Sequence, residues 1–163
     1  MCQNGDKKTE LMSAGTKYNV ASLLRVHDRS LTLGTNTVKV SDAVRVLRVL
    51  FTPNLALEKH ATTVSAKCCF PLRQLRSIRR SLDRESAATL IHAFVTSRID
   101  YGNALLANTL RTTTDKLQRV LNAAARVING TQKFDRGLAQ ILHNDLHWLD
   151  VPQRVIFKLC TTA

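Results

Sequence analysis

The spacing of the apolar residues changes at Leu57, and this change constrains the fold more than any other feature of the sequence. Residues 43–52 are rich in β-branched side chains and stop at Pro53, which predicts one strand with two largely apolar faces. From Leu57 onward, apolar residues recur at steps of three and four, the spacing of one buried helical face. We therefore expect an α+β fold that is mostly α, with a small N-terminal antiparallel β remnant followed by a helical bundle.

Weaker signals precede this strand. Residues 9–14 are predicted as a short strand, residues 16–29 as a loop, and residues 30–34 and 37–40 as a small hairpin. Gly34, Thr35 and Asn36 supply its turn. A β remnant of this size buries little apolar surface, so we expect it to be held loosely.

The first helical segment, residues 57–82, combines an apolar stripe with a run of basic residues. The stripe consists of Leu57, Ala61, Val64, Cys68, Leu72, Leu75, Ile78 and Leu82. Pro71 lies inside it and removes the amide that would bond the carbonyl of Lys67, so we expect a kink. Arg73, Arg76 and Arg80 share one face of this helix.

The second segment, residues 82–107, ends in a cluster of polar side chains. Asp83 is the predicted N-cap. The predicted buried face consists of Ala87, Ala88, Ile91, Phe94, Val95 and Ile99. The polar cluster consists of Arg98, Asp100, Tyr101 and Asn103. This density of polar groups predicts a helical hairpin that closes on something charged or polar.

The third segment is a helix predicted at residues 115–128. Thr113 or Thr114 is its expected cap, and Gly130 is expected to end it in the left-handed conformation. The predicted buried stripe is Leu117, Val120, Leu121, Ala124, Val127 and Ile128. A shorter helix follows at residues 137–143. Residues 146–149 are predicted to fill the bundle, and Pro152 begins a last helix that reaches residue 160.

A net charge of +12 makes nucleic acid the favoured partner class. The candidate nucleic-acid-binding residues are Arg73, Arg76, Arg80, Lys116, Arg119 and Arg126. A run of charge is often only a solvated face. The absence of any carboxylate between Glu58 and Asp83 favours binding instead. No apolar run is long enough for a membrane span, so no membrane partner is expected.

Catalytic and metal-binding patterns are missing from the sequence. No two aspartates stand adjacent or one residue apart, whereas two-metal polymerases need clustered carboxylates. His143 and His147 are four residues apart, with Asp145 or Asp150 as a conceivable third ligand, but a capping or packing role is favoured. We therefore predict no catalytic residue, no metal site, no cofactor and no small-molecule substrate held by this chain.

Several segments, in order along the chain, resemble the reverse transcriptases of jockey-like non-LTR retrotransposons. The strongest is Leu-Ile-His-Ala-Phe-Val-Thr-Ser-Arg-Ile-Asp-Tyr at 90–101, which is similar to a signature just downstream of the polymerase core. The others are Asn-Gly-Asp-Lys-Lys-Thr-Glu-Leu-Met at 4–12, Val-Arg-Val-Leu-Arg-Val-Leu at 44–50, Lys-Leu-Gln-Arg-Val-Leu-Asn-Ala-Ala-Ala-Arg at 116–126, Lys-Phe-Asp at 133–135 and Leu-His-Trp-Leu at 146–149.

The resemblance implies a C-terminal fragment of an RNA-directed DNA polymerase. Residues 1–54 would be the end of the palm, and residues 55–163 the helical thumb and connector. Val46, Leu47, Arg48 and Val49 would form a strand pair like the primer grip, with Arg48 standing where the family has glycine.

The same resemblance implies a partner, which would be an RNA–DNA or DNA duplex. Four scattered cysteines without a signal peptide indicate reduced thiols, so we expect the chain in the nucleus or the cytoplasm. The parent enzyme would use Mg²⁺, but its catalytic aspartate pair is missing here, so we expect this chain alone to be inactive. The alternative is a small basic helical module that binds a partner protein, or nucleic acid non-specifically.

Overall fold

A computed structural model describes the chain at residues 9–15, 18, 30–132 and 135–162. Two small two-stranded antiparallel sheets precede the helices, so the predicted α+β, mostly α class is confirmed. The chain divides into two compact units, Met1–His60 and Ala61–Ala163. Their assignment to a palm remnant and a thumb stays a prediction. The loop predicted at 16–29 lies almost entirely outside the described residues.

The first unit contains the predicted small hairpin. Strand β1, Ser30–Leu33, pairs antiparallel with β2, Asn36–Lys39, so that Leu33 lies opposite Asn36. Gly34 adopts a φ of +61° in the two-residue turn. The strand predicted at 9–14 is wrong, because Leu11 makes only an isolated bridge to Val40.

Residues 43–52 form a second hairpin, so the prediction of one strand is wrong. Strand β3, Val44–Val46, pairs antiparallel with β4, Val49–Phe51. Leu47 and Arg48 form the turn between them, with φ values of +46° and +69°. A two-residue hairpin turn of type I′ needs positive φ at both positions, which normally selects Asn-Gly. Leu47 and Arg48 are not residue types that predict such a turn, so the sequence did not indicate it.

Helix α1 runs from Glu58 to Ile78 and continues through Pro71. Most of the predicted stripe is buried: Leu57, Ala61, Cys68, Leu72 and Leu75. Ile78 is 48% exposed, because α1 ends there and a short 3₁₀ turn, Arg79–Ser81, follows. The carbonyl of Lys67, which Pro71 leaves without its amide partner, accepts a hydrogen bond from Arg98 Nη1 at 3.3 Å.

A π turn changes the face of the next helical stretch. Helix α2, Arg84–Ile91, leads into the π turn His92–Thr96 and then into α3, Ser97–Asp100. The predicted cap is confirmed, since the carboxylate of Asp83 accepts from two backbone amides at 3.1 Å. Phe94 is 47% exposed, so its predicted burial is wrong. The extra residue of the π turn rotates the face and buries Thr96 beside Val95.

Helix α4, Arg111–Asn129, begins before the predicted start. Thr113 and Thr114 lie buried within its first turn, so the prediction that one of them caps the helix is wrong. The whole predicted apolar stripe is buried, as expected. Gly130 ends the helix at a φ of +70°, which confirms the predicted left-handed residue.

The last helical elements are short. Helix α5, Leu138–Gln140, passes into a π turn, Ile141–Asp145, and helix α6 follows at Val151–Thr162. Residues 146–149 do not fill the bundle as predicted, because Leu149 is 42% exposed. Leu142, Val151 and Val155 take the buried positions instead. No helix in the described part of the chain is long and apolar enough to cross a membrane.

Candidate nucleic-acid interface

The polar cluster at the end of α3 is used within the chain. Arg154 Nη1 donates to both carboxylate oxygens of Asp100, at 3.1 and 2.8 Å. The same guanidinium donates through Nε to the carbonyl of Leu149 at 2.8 Å and lies 5.6 Å from the ring centroid of Trp148. The ion pair between Asp100 and Arg154 therefore attaches α6 to the end of α3. Arg154 is the charged group that Asp100 of this cluster contacts.

The side chain of Arg79 caps the C-terminal end of helix α4. Its Nε donates to the carbonyls of Val127 and Ile128, at 2.8 and 3.1 Å, and Nη2 donates to Ile128 at 2.6 Å. Its Nη1 reaches the carbonyl of Leu82 at 2.6 Å. These carbonyls carry the partial negative charge of a helix C-terminus, so a guanidinium is well suited to them. One arginine thus joins the end of α1 to the end of α4.

The backbone completes the same helix end. The amide of Gly130 donates to Val127 O at 3.3 Å, and the amide of Thr131 donates to Arg126 O at 3.0 Å. These two bonds are those of a Schellman motif, in which a left-handed residue lets the chain turn back on the last carbonyls. The position of Arg126 beside this motif is consequently fixed.

The arginines of the second unit fall into two groups. Some are engaged with carboxylates or carbonyls: Arg79, Arg84, Arg98, Arg111 and Arg154. The side chains of others make no hydrogen bond or ion pair with any residue that the structure describes: Arg73, Arg76, Arg80, Arg119 and Arg126. We call this second set the arginine surface. Arg136 is likewise without a partner, but it lies on neither α1 nor α4.

Three members of the arginine surface line one pocket. Arg76 enters it from the end of α1 and Arg126 from α4. Arg80 enters it from the 3₁₀ turn after α1, so the prediction that it shares one face of the helix with Arg73 and Arg76 is wrong. The pocket has a volume of about 430 Å³ and is completed by Arg79, Val127, Gly130, Thr131 and Gln132. None of these lining residues is acidic. We call this concavity the arginine pocket.

The other predicted binding residues extend from the pocket along the two helices. Arg73 lies three residues before Arg76, and Arg119 lies seven before Arg126, spacings that keep each pair on one helical face. Both Arg73 and Arg119 are exposed. Lys116 differs, because its Nζ donates to Thr62 Oγ1 at 3.1 Å.

The primer-grip-like residues belong to the other compact unit. Val46, Leu47 and Arg48 are exposed at the tip of the β3–β4 hairpin, while Val49 is buried. The strand pair that the resemblance implied is present. Its contact with a primer stays a prediction.

Three of the four conceivable metal ligands, His143, Asp145 and Asp150, have structural partners. His143 Nδ1 lies 2.9 Å from the carbonyl of Trp148, and His143 Nε2 lies 3.8 Å from Asp150 Oδ2. Asp150 Oδ1 also accepts from Gln118 Nε2 at 2.8 Å. Among the described residues, no three His, Cys, Asp or Glu side chains converge as a metal site. Cys68 is buried, and burial raises the pKa of its thiol to about 11, so it is a poor nucleophile.

Sequence reasoning assigned Arg79 no role. It lies beside Arg80 in the same basic run, and no spacing rule distinguishes an arginine that ends a distant helix from one that faces solvent. The last carbonyls of a helix lack intrahelical donors, and Gly130, as the predicted end of α4, was the only sequence signal for where such carbonyls would lie.

Comparison of the chain with protein-family models, with curated proteins and with solved structures gave no match.

Proposed function

We propose that this chain holds a nucleic-acid duplex by its phosphate backbone. We propose also that it is a C-terminal fragment (end of palm, thumb and connector) of a jockey-like non-LTR retrotransposon reverse transcriptase. The observation that carries the duplex-binding part is the arginine surface. Its five arginines lie on α1, the turn after it and α4, and they have no partner among the described residues. The proposed parentage rests on the ordered sequence resemblance.

Uncompensated positive charge on two neighbouring helices is unfavourable for folding, because like charges repel. A polyanion relieves this repulsion and releases its condensed counterions, so affinity becomes strongly dependent on salt. Contacts to phosphates position a protein without reading the sequence. The proposed surface should therefore bind unrelated duplexes alike.

We propose that the chain is not catalytic by itself. Two-metal phosphoryl transfer needs carboxylates that hold both ions about 4 Å apart, and the sequence contains no such cluster. Purified chain incubated with primed template and Mg²⁺ or Mn²⁺ should therefore show no extension above a protein-free control.

A salt titration tests duplex holding. The ligand is an RNA–DNA hybrid whose two strands are joined by a loop at one end. The other end is blunt and carries hydroxyl groups in place of a terminal phosphate. Replacing Arg73 and Arg119 with alanine should flatten the log–log salt dependence by roughly 2 units, at about 0.9 per lost phosphate contact. These residues lie outside the arginine pocket, so the test concerns the extended surface only.

The matched control also removes two positive charges, but from positions outside the arginine surface. Lys39 and Lys158 are exposed lysines that lie on neither α1 nor α4. Their double alanine variant should change the slope by much less. Equal slope changes in the two double variants would contradict a dedicated surface and favour a generally basic, solvated protein.

A second candidate function has one observation in its favour. Helix α6 exposes Ile156, Phe157 and Leu159, with 61%, 61% and 41% of their surfaces accessible. Such a face suits a protein partner, as in a small helical interaction module. Association that is insensitive to salt and lost in Ile156→Ser/Phe157→Ser would favour this function over duplex holding.

A further inference from the structure

The arginine pocket concentrates charge at one point, unlike the rest of the arginine surface. Arg76, Arg80 and Arg126 converge there from α1, the 3₁₀ turn after it and α4, and no acidic residue lines the concavity. Arg79 also lines it, but its guanidinium is already bonded to the carbonyls of Val127, Ile128 and Leu82. Three guanidinium groups without a partner in the described residues therefore remain for a ligand.

A duplex backbone that lies along the arginine surface would place only part of its charge against these three guanidinium groups. Each phosphodiester carries one negative charge, and successive charges along a strand are spread along the helix axis. Such a ligand suits cations that are spread along a surface, as Arg73 and Arg119 are. A phosphate monoester instead carries about −1.5 to −2 charges at pH 7 and offers three acceptor oxygens on one atom. Guanidinium forks bind such oxygens in pairs.

The pocket is built on fixed backbone. Arg79 and the Schellman motif hold the end of α4, and Arg126 O accepts the bond from Thr131 within that motif. The Thr131 hydroxyl is buried without a hydrogen-bond partner among the described residues, and Thr131 lines the same pocket. The backbone that carries Arg126 is therefore held in place by the end of α4.

We propose that the arginine pocket binds a phosphate monoester, with Arg76, Arg80 and Arg126 as its charged donors. The ligand is either the terminal phosphate of a nucleic-acid strand or a small phosphate monoester, which share this chemistry. The inference goes beyond duplex holding and does not depend on it, because the pocket can be occupied whether or not the extended surface grips a backbone.

The test compares one short single-stranded oligonucleotide with a 5′-phosphate and with a 5′-hydroxyl, at fixed salt and pH 7.5. The chain should bind the phosphorylated form about tenfold more tightly, from added charge-assisted hydrogen bonds. The preference should fade at pH 5.5, because the second pKa of a phosphate monoester is about 6. Phenyl phosphate, titrated by calorimetry, probes the small-molecule source.

Two matched variants locate the effect. Arg76→Gln/Arg126→Gln changes the pocket, and Arg73→Gln/Arg119→Gln changes the same two helices outside it. The first should abolish the preference for the 5′-phosphate and the second should retain it. Circular dichroism checks that both fold, which we expect because the structure gives none of these side chains a partner.

Each outcome decides the inference. A preference confined to the oligonucleotide assigns the pocket to strand ends, and heat from phenyl phosphate assigns it to small monoesters. Equal binding of both oligonucleotides, with no heat from phenyl phosphate, would overturn the proposal. So would a preference that survives in Arg76→Gln/Arg126→Gln. The looped hybrid has no terminal phosphate, so its result bears on duplex holding alone.

Discussion

Replacing Arg79 with alanine should destabilise the second unit strongly, whereas the same change at the adjacent Arg80 should not. Arg79 donates four hydrogen bonds to three backbone carbonyls, with lengths between 2.6 and 3.1 Å. Arg80 has no partner among the described residues. The two substitutions remove the same side chain and the same charge, so the difference between them isolates the carbonyl contacts.

The magnitude follows from the bonds. A hydrogen bond from a charged group contributes about 1.5–3 kcal/mol net, and a cation at a helix C-terminus adds about 0.3–1 kcal/mol. Because Arg79 is half-buried, water partly replaces the lost donors, so the four bonds do not add in full. We expect a loss of roughly 2–4 kcal/mol for Arg79→Ala and less than about 0.5 kcal/mol for Arg80→Ala.

Urea unfolding followed by circular dichroism measures both values. With a slope of about 2 kcal/mol per molar urea, the midpoint should fall by roughly 1–2 M for Arg79→Ala. Arg79→Lys keeps the charge but loses the planar guanidinium, so its urea midpoint should lie between those of the unchanged chain and Arg79→Ala. Equal midpoint shifts for Arg79→Ala and Arg80→Ala, at unchanged slope, would refute the structural role assigned to Arg79.

Three further predictions concern other parts of the chain. Leu47→Asn/Arg48→Gly should stabilise the β3–β4 hairpin by roughly 1 kcal/mol or more, because the turn needs positive φ at both positions; slower amide exchange in the hairpin would show it. At pH 8, iodoacetamide should modify exposed Cys69 well before buried Cys68, and peptide mapping would reveal any reversal. The N-cap hydrogen bonds from Ser86 lower the pKa of Asp83 below 3.8. Its contribution to stability is therefore present above that value and is lost as the pH falls through the lowered pKa, so the stability gap to Asp83→Ala should shrink in acid titrations.

Apolar spacing predicts the long helices of this chain well, because burial of one face dominates their stability. All six apolar positions predicted for α4 are buried. The same reasoning fails at Phe94, because a π turn adds one residue to the helical period and no sequence rule marks that insertion. It fails again at residues 43–52, where Leu47 and Arg48 adopt a turn conformation that their residue types disfavour.

The candidate interface was predictable only in part. Composition and the absence of acidic residues indicate a basic surface, and helical spacing groups Arg76 with Arg80. They do not show which arginines bond carbonyls, since that depends on where another helix ends. Arg126 reaches the pocket only because α1 and α4 end near each other, a tertiary fact that no local pattern contains.

The bond between Arg98 and the carbonyl of Lys67 makes two distant positions depend on each other. Pro71 deprives that carbonyl of its amide, so Arg98 matters at this place only while residue 71 is proline. With alanine at 71, the helix would supply its own donor, and loss of Arg98 would then cost little there. The bond from Arg98 thus offsets part of the cost of a proline inside α1. In a mutational scan, the two positions should not behave as independent sites.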